Sequence, residues 1–179
     1  MDTRLVIGVS SDEVAGEIRA ALVRVGGFGL DCVVDCLASM TVPMGQAGQM
    51  AADSTASGTV VSESIVRVAG FRVAQQFFDV ARALTERAAT VLDQILLIGF
   101  KGHPDSAGES HAALVAARLA ELSGTTTVSD FSVRDRAAGG RGGPLAPLVD
   151  WVLANDPRNS RLMVHVDGVT SLTFVPAAA

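Results

Sequence analysis

The chain has 179 residues and a mass of 18.4 kDa, enough for one domain of ordinary size. Its 14 Lys and Arg against 19 Asp and Glu give a net charge of −5, which argues against a nucleic-acid surface or a polybasic membrane anchor. With 49% apolar and 18% charged residues and a mean hydropathy of +0.38, the composition excludes disorder and is oily for a soluble monomer. The longest apolar run, Ile95-Leu96-Leu97-Ile98-Gly99-Phe100, is far short of the roughly 20 residues of a bilayer span. The first residues lack the charged and apolar regions of a signal peptide, so a cytoplasmic location is expected. The excess of apolar residues then implies surface buried against another chain.

Arg4 to Val9 reads as a buried first strand. Ser10-Ser11-Asp12-Glu13 resembles a helix start with a capping box, yet Ile18, Ala20, Leu22 and Val23 before Val25-Gly26-Gly27-Phe28-Gly29 also fit a strand entering a turn. With Leu30 to Val42 as the next strand, a three-stranded meander is the favoured reading. Cys32 and Cys36 would lie about 13 Å apart on a strand, too far for a disulfide, and are expected to be buried free thiols; no metal site is expected there or elsewhere.

Gly45 to Gly58 is small, polar and aperiodic, a loop. Ser62 to Ala89 is a helix: Ile65, Val68, Val73, Phe77, Val80, Ala81, Leu84 and Ala88 recur at helical spacing, while Arg67, Arg72, Asp79, Arg82 and Glu86 take other faces. Gln94 to Phe100 reads as a strand buried on both faces. After the loop Lys101 to Gly108, Glu109 to Leu122 forms a helix stopped at Ser123-Gly124. Thr125 to Val128 is a short strand. Pro144 to Asn155 is a third helix with Pro144 at its first position. Arg161 to Val166 and Val169 to Val175, flanking Asp167-Gly168, predict a type I′ hairpin. Strands alternating with helices give an α/β fold with a mixed sheet in one domain, residues 1–179.

Three segments carry candidate chemistry. The richest runs from Ser129 to Pro144, joining a strand's C-terminal end to a helix start, the edge where open α/β sheets bind ligands. Gly139 and Gly140 there allow close backbone approach to an anion, Arg134, Arg136 and Arg141 bring charge, and Asp130 and Asp135 can accept hydroxyl hydrogen bonds from a sugar. The second is Gly8-Val9-Ser10-Ser11-Asp12, where the hydroxyls of Ser10 and Ser11 could hold a phosphate. The third is Gly99-Phe100-Lys101-Gly102-His103-Pro104, where Lys101 could pair with a phosphate and His103 could hydrogen-bond a substrate. No Ser-His-Asp order, paired-carboxylate spacing or Cys/His cluster stands out, so no catalytic residue is assigned.

Val128-Ser129-Asp130-Phe131 through Arg134-Asp135, then Ala138-Gly139-Gly140-Arg141-Gly142-Gly143-Pro144-Leu145-Ala146-Pro147, resembles the GDFRxxD…GGQGAPLVP signature of the anhydro-N-acetylmuramic acid kinases. Ile98-Gly99-Phe100-Lys101-Gly102-His103 sits where that family has IG-x-HGQT, and Leu162 to Leu172 resembles its LNIGGIANLS hairpin. The similarity runs from about Ser62 to Pro176. It implies a ribonuclease-H-like, actin-like kinase domain, the first of two such lobes. It also implies an ATP- and Mg²⁺-dependent activity that opens a 1,6-anhydro sugar ring to the 6-phosphate during peptidoglycan recycling.

The departures bear on activity. In the family the hairpin is followed by DTGPGN, whose aspartate is the general base, and by the second lobe; this sequence ends at Ala179. The family's GTSxDG loop is reduced to Gly8-Val9-Ser10-Ser11-Asp12-Glu13, the histidine of HGQT is Lys101, two arginines are Ser132 and Val133, and Asp167 replaces a hairpin glycine. The resemblance therefore implies a single lobe without autonomous kinase activity. Such a lobe requires no cofactor of its own, ATP and Mg²⁺ entering only if the family activity is retained. Either a second copy, in a homodimer across the cleft face, or a separate second-lobe chain would cover its open side.

Overall fold

The computed structural model describes residues 3–12, 15–45, 63–101, 109–166 and 170–177. Strands β1 (Thr3–Asp12), β2 (Glu17–Gly26) and β3 (Val33–Pro43) are followed by α1 (Glu63–Arg87), β4 (Ile95–Lys101), α2 (Glu109–Ser123) and β5 (Thr127–Val128). Then come α3 (Phe131–Ala137), α4 (Ala146–Ala154), β6 (Arg161–Val166) and β7 (Thr170–Val175). The first five strands form one sheet in the order β3-β2-β1-β4-β5. The links from β1 to β2 and from β2 to β3 are too short for a parallel crossover, so these three strands are an antiparallel meander. β1 pairs with β4, and β4 with β5, in parallel. The sheet is thus mixed and the fold α/β, the ribonuclease-H-like arrangement that the resemblance implies.

Alternation along the strands builds the core. Ile7 and Val9 on β1, Ile18, Ala20 and Leu22 on β2, and Ile98 and Phe100 on β4 are buried in one cluster. Val73, Phe77, Val80, Ala81 and Leu84 of α1, with Val115, Ala116 and Leu119 of α2, join it. Phe77 meets Phe100 edge to face, with ring centroids 5.1 Å apart. The stop of α2 is as expected: Gly124 takes φ +64° and its N–H donates to the Ala120 carbonyl at 2.9 Å.

The chain forms two compact units. One comprises Arg4–Arg24 and Cys36–Phe131 and holds this core; the other comprises Met1–Thr3, Val25–Asp35 and Ser132–Ala179. In the second, α4 lies against β6, β7 and the 3-10 turn Gly29–Asp31, burying Ala154 and, within the same unit, Val175. No described helix is long and apolar enough to cross a membrane.

Several sequence expectations are corrected. β1 does not end at Val9 but continues through Ser10 and Ser11 to Asp12, because the polar stretch is the closing end of an antiparallel pair: Asp12 bridges to Arg19 on β2 at 3.1 Å. β4 is not buried on both faces. Leu96 is half-exposed because the register slips there: Leu5 pairs with Ile95 but Val6 with Leu97, leaving Leu96 without a partner on β1. On α1, Val68 is exposed although its spacing fits the apolar stripe. The cysteines are not both buried; Cys32 is half-buried and Cys36 exposed, since β3 is the sheet edge and Ala38 is its one buried residue.

The second unit brings further corrections. The segment from Ser129 to Pro144 is not all loop, for it contains α3. α4 begins after Pro144, with Leu145 as its cap and Pro147 in the first turn. The closing strands form a separate two-stranded sheet rather than extending the first. Asp167 and Gly168 lie outside the described residues. The type I′ turn expected there therefore lies outside the described residues too, and the last described pair is Val166 with Thr170. The loops expected over Gly45 to Gly58 and Lys101 to Gly108 lie almost wholly outside the described residues.

Candidate functional site

Parallel pairing brings two independently chosen candidates together. In the β1–β4 register Ser10 stands beside Lys101, so their side chains leave the same face of the sheet on strands about 5 Å apart. That face alternates with the one carrying Ile7 and Val9, so it lies opposite the helices of the core. Ser10 also lines a shallow depression of about 510 Å³ with Gly8, Arg19, Ala20, Ala21, Ser39, Met40 and Thr41. Ser10 is half-buried and Lys101 exposed, placing a hydroxyl and an ammonium at one strand edge. Arg19 is held by Asp12 at 3.1 Å and Glu17 at 3.3 Å, leaving Lys101 as the cation more open to a ligand. Ser11, one residue on, alternates to the other face, so the two serines do not act as a pair.

Asp130 completes this edge. β5 lies beside β4, pairing Val128 with Gly99, and ends two residues before Asp130. Asp130 takes φ +56°, a left-handed conformation that Asp tolerates better than most side chains and that is common at functional turns. Ser129 Oγ donates to Asp130 Oδ2 at 3.2 Å. The ring of Phe131 lies over Gly99, 3.8 Å from where a Cβ would stand, so the strand-to-helix turn sits tightly on β4. His103 lies outside the described residues. Arg134 is an exposed residue of α3.

The glycine-rich segment in the second unit is organised by a residue that the sequence reading only brushed. Asp135 accepts the Gly142 N–H on Oδ2 at 2.7 Å and the Gly140 N–H on its backbone carbonyl at 2.9 Å. The Gly139 N–H donates to the Arg136 carbonyl at 3.0 Å. Gly139 and Gly140 therefore do not present free N–H groups to a phosphate as expected; the loop engages them itself. A Cβ at Gly140 would displace the Asp135 carboxylate, and Gly142 takes φ +83°, a backbone conformation that glycine adopts without strain.

One polar cluster was missed in the sequence. Asp150, buried on α4, accepts from His165 Nε2 at 2.8 and 2.9 Å, and the Thr173 hydroxyl also bonds to it. The Thr173 hydrogen bond, then His165, hold its carboxyl below the ordinary value against the opposing effect of burial. Inward-facing positions of β6 and β7 at alternate spacing, beside a helix with a lone acidic residue, were the signal available. Among the described residues no three His, Cys, Asp or Glu side chains gather into a metal-binding group.

The family model for anhydro-N-acetylmuramic acid kinase matches residues 4–179. The kinase of that name from Gloeobacter violaceus is 32% identical over 187 residues, covering 99% of this chain and 49% of the relative. That from Caldanaerobacter subterraneus is 32% identical over 190 residues, covering 98% and 47%. A solved structure, YeaZ from Pseudomonas aeruginosa, aligns over 78% of this chain and 50% of its own, with 14% identity and a TM-score of 0.37. The chain spans about half the length of the curated relatives it matches. With a family model spanning nearly every residue and the signature segments in order, the chain belongs to the anhydro-N-acetylmuramic acid kinase family.

Proposed function

We propose that these residues form a ligand-holding lobe that binds an anhydro-amino sugar or the phosphates of a nucleotide, does not turn over by itself, and associates with a second copy. The observation carrying this reading is the register that sets Ser10 beside Lys101, with Asp130 held left-handed at the end of the adjoining strand β5. The ammonium of Lys101 and the hydroxyl of Ser10 suit phosphate oxygens; the carboxylate of Asp130 suits sugar hydroxyls.

Phosphoryl transfer between lobes needs a positioned base and a nucleotide platform facing the acceptor. The strand edge offers a cation, a hydroxyl and one carboxylate, and the aspartate that the resemblance names as base is not among these residues. Phosphates fit this donor set. Among the described residues no three His, Cys, Asp or Glu side chains gather to hold a metal, and no step is routed through one. The second reading, one component of a split ATP-dependent kinase completed by a separate chain, draws on the same edge.

Calorimetric titration of the chain with anhydro-N-acetylmuramic acid and with ATP tests the reading, alongside an assay for ADP and sugar phosphate. Binding is expected to weaken about tenfold or more in Lys101→Ala and Asp130→Ala, with no product from the chain alone. Equal binding by both variants would overturn the site, and product from the chain alone would overturn the lack of turnover. Product only after adding the C-terminal half of a relative would establish the split kinase.

A further inference from the structure

The turn that carries Asp130 is pinned on both sides to one residue of β4. Val128 before it pairs with Gly99, and the ring of Phe131 after it lies over the same Gly99, 3.8 Å from where a Cβ would stand. Between these anchors Asp130 takes φ +56°, so the turn sets the direction in which its side chain leaves the backbone. Rotation of the carboxylate itself is a broad torsion that the backbone does not fix. Ser129 restrains it: its Oγ donates to Asp130 Oδ2 at 3.2 Å, and both residues are half-buried. The family signature has glycine where this chain has Ser129, so the hydroxyl is a feature of this chain.

We propose that Ser129 is a positioning residue: by engaging Oδ2 it turns Oδ1 of Asp130 to the ligand, and it limits the carboxylate to one hydroxyl of the sugar. This rests on the reading above that Asp130 receives a sugar hydroxyl, and it narrows which one. A muramic sugar closed between C1 and C6 carries an acetamido group on C2 and a lactyl ether on C3, so its one free ring hydroxyl is on C4. An ionised carboxylate has two acceptor oxygens, and a half-buried one that a ligand covers without bonding it loses its water for nothing. A sugar with a single ring hydroxyl satisfies one oxygen; Ser129 satisfies the other. Asp130 therefore receives the C4 hydroxyl on Oδ1.

The experiment is calorimetric titration of the full chain with anhydro-N-acetylmuramic acid and with its 4-deoxy analogue. The proteins are the wild type, Ser129→Ala, Ser129→Gly, Ser129→Thr, Asp130→Ala, and the double variant Ser129→Ala with Asp130→Ala. Loss of the hydroxyl in Ser129→Ala or Ser129→Gly should weaken the sugar about tenfold, the worth of one hydrogen bond to a charged acceptor. Ser129→Thr keeps the hydroxyl and should stay within about threefold of wild type. The double variant should bind no more weakly than Asp130→Ala alone, because Ser129 acts through the carboxylate. Against the 4-deoxy sugar the wild type should fall to the level of Asp130→Ala. Circular dichroism matching the wild type shows that each variant is folded.

A weakened Asp130→Ala beside unchanged Ser129→Ala and Ser129→Gly overturns the positioning role alone and leaves the site standing. Losses that add in the double variant overturn that role as well, since Ser129 would then act on the ligand independently. So does a Ser129→Thr variant as weak as Ser129→Ala, since the hydroxyl would not be what matters. Full affinity for the 4-deoxy sugar overturns the assignment of the hydroxyl. An Asp130→Ala variant that binds as tightly as the wild type, or a wild type that binds no sugar, overturns the site and this inference with it.

Discussion

The carboxylate of Asp135 and the missing side chain of Gly140 occupy the same space, and that conflict can be measured. A Cβ at Gly140 would overlap the carboxylate and push it away from the Gly142 N–H, with which it makes a 2.7 Å hydrogen bond. A hydrogen bond to a charged acceptor contributes about 1.5–3 kcal/mol, and in a half-buried loop the lower part of that range applies, about 2 kcal/mol. Gly140→Ala and Asp135→Ala should therefore each cost about 2 kcal/mol. Together they should also cost about 2 rather than 4, because without the carboxylate the new methyl has nothing to displace, a coupling of about 2 kcal/mol. Urea unfolding followed by the fluorescence of Trp151, the single tryptophan and a half-buried residue of the same compact unit, reports the three variants. Additive losses, or a Gly140→Ala variant within about 0.5 kcal/mol of wild type, would refute the claim that Asp135 organises the loop.

Acid should weaken the second unit through Asp150. Its folded carboxyl titrates below the ordinary value, so the unfolded chain takes up the proton more readily. The stabilisation is full above about pH 4, the unfolded value, and is lost as the pH falls through the folded one. Asp150→Asn should show a flatter acid limb in Trp151-detected stability; an unchanged limb would remove Asp150 from the account. In the core of the first unit, Phe77→Ala should cost about 3–5 kcal/mol, part of it from the edge-to-face contact with Phe100. Urea unfolding monitored by helical circular dichroism checks this, and a loss below about 1 kcal/mol would contradict the packing described.

Much of the fold was legible because it is local. The apolar stripe of α1, the glycine stop of α2 and the continuous apolar run of β4 each express one periodicity or one backbone requirement. α3 was not legible because its seven residues include only Phe131, Val133 and Ala137 as apolar positions, too few to mark a helical face. Ser10 and Ser11 looked like a turn because polar residues close a hairpin as readily as they cap a helix; the bridge from Asp12 to Arg19 decides for the strand. The site was half legible. Lys101, Ser10 and Asp130 stood out singly by chemistry and by position at strand ends. That Ser10 adjoins Lys101 follows from a register between strands far apart in the chain, which no window of sequence displays. The pairing of Asp150 with His165 was hidden for the same reason, since it joins a helix to a strand through tertiary packing.

The slip at Leu96 shows how that neighbourhood is set. Had β1 and β4 run on in phase from the pairing of Leu5 with Ile95, Ser10 would stand beside Phe100, and Lys101 would stand beside Ser11. The single unmatched residue advances β4 by one place, and every position beyond it inherits the new phase. The choice of which hydroxyl accompanies the ammonium is thus made about 15 Å away, at the opposite end of the strand. Removing Leu96 would straighten β4 without disturbing the far pairing, whereas drawing it into the ladder would exchange one serine for the other. The make-up of such a strand edge is set by counting residues upstream, while the side chains at the edge stay as they are.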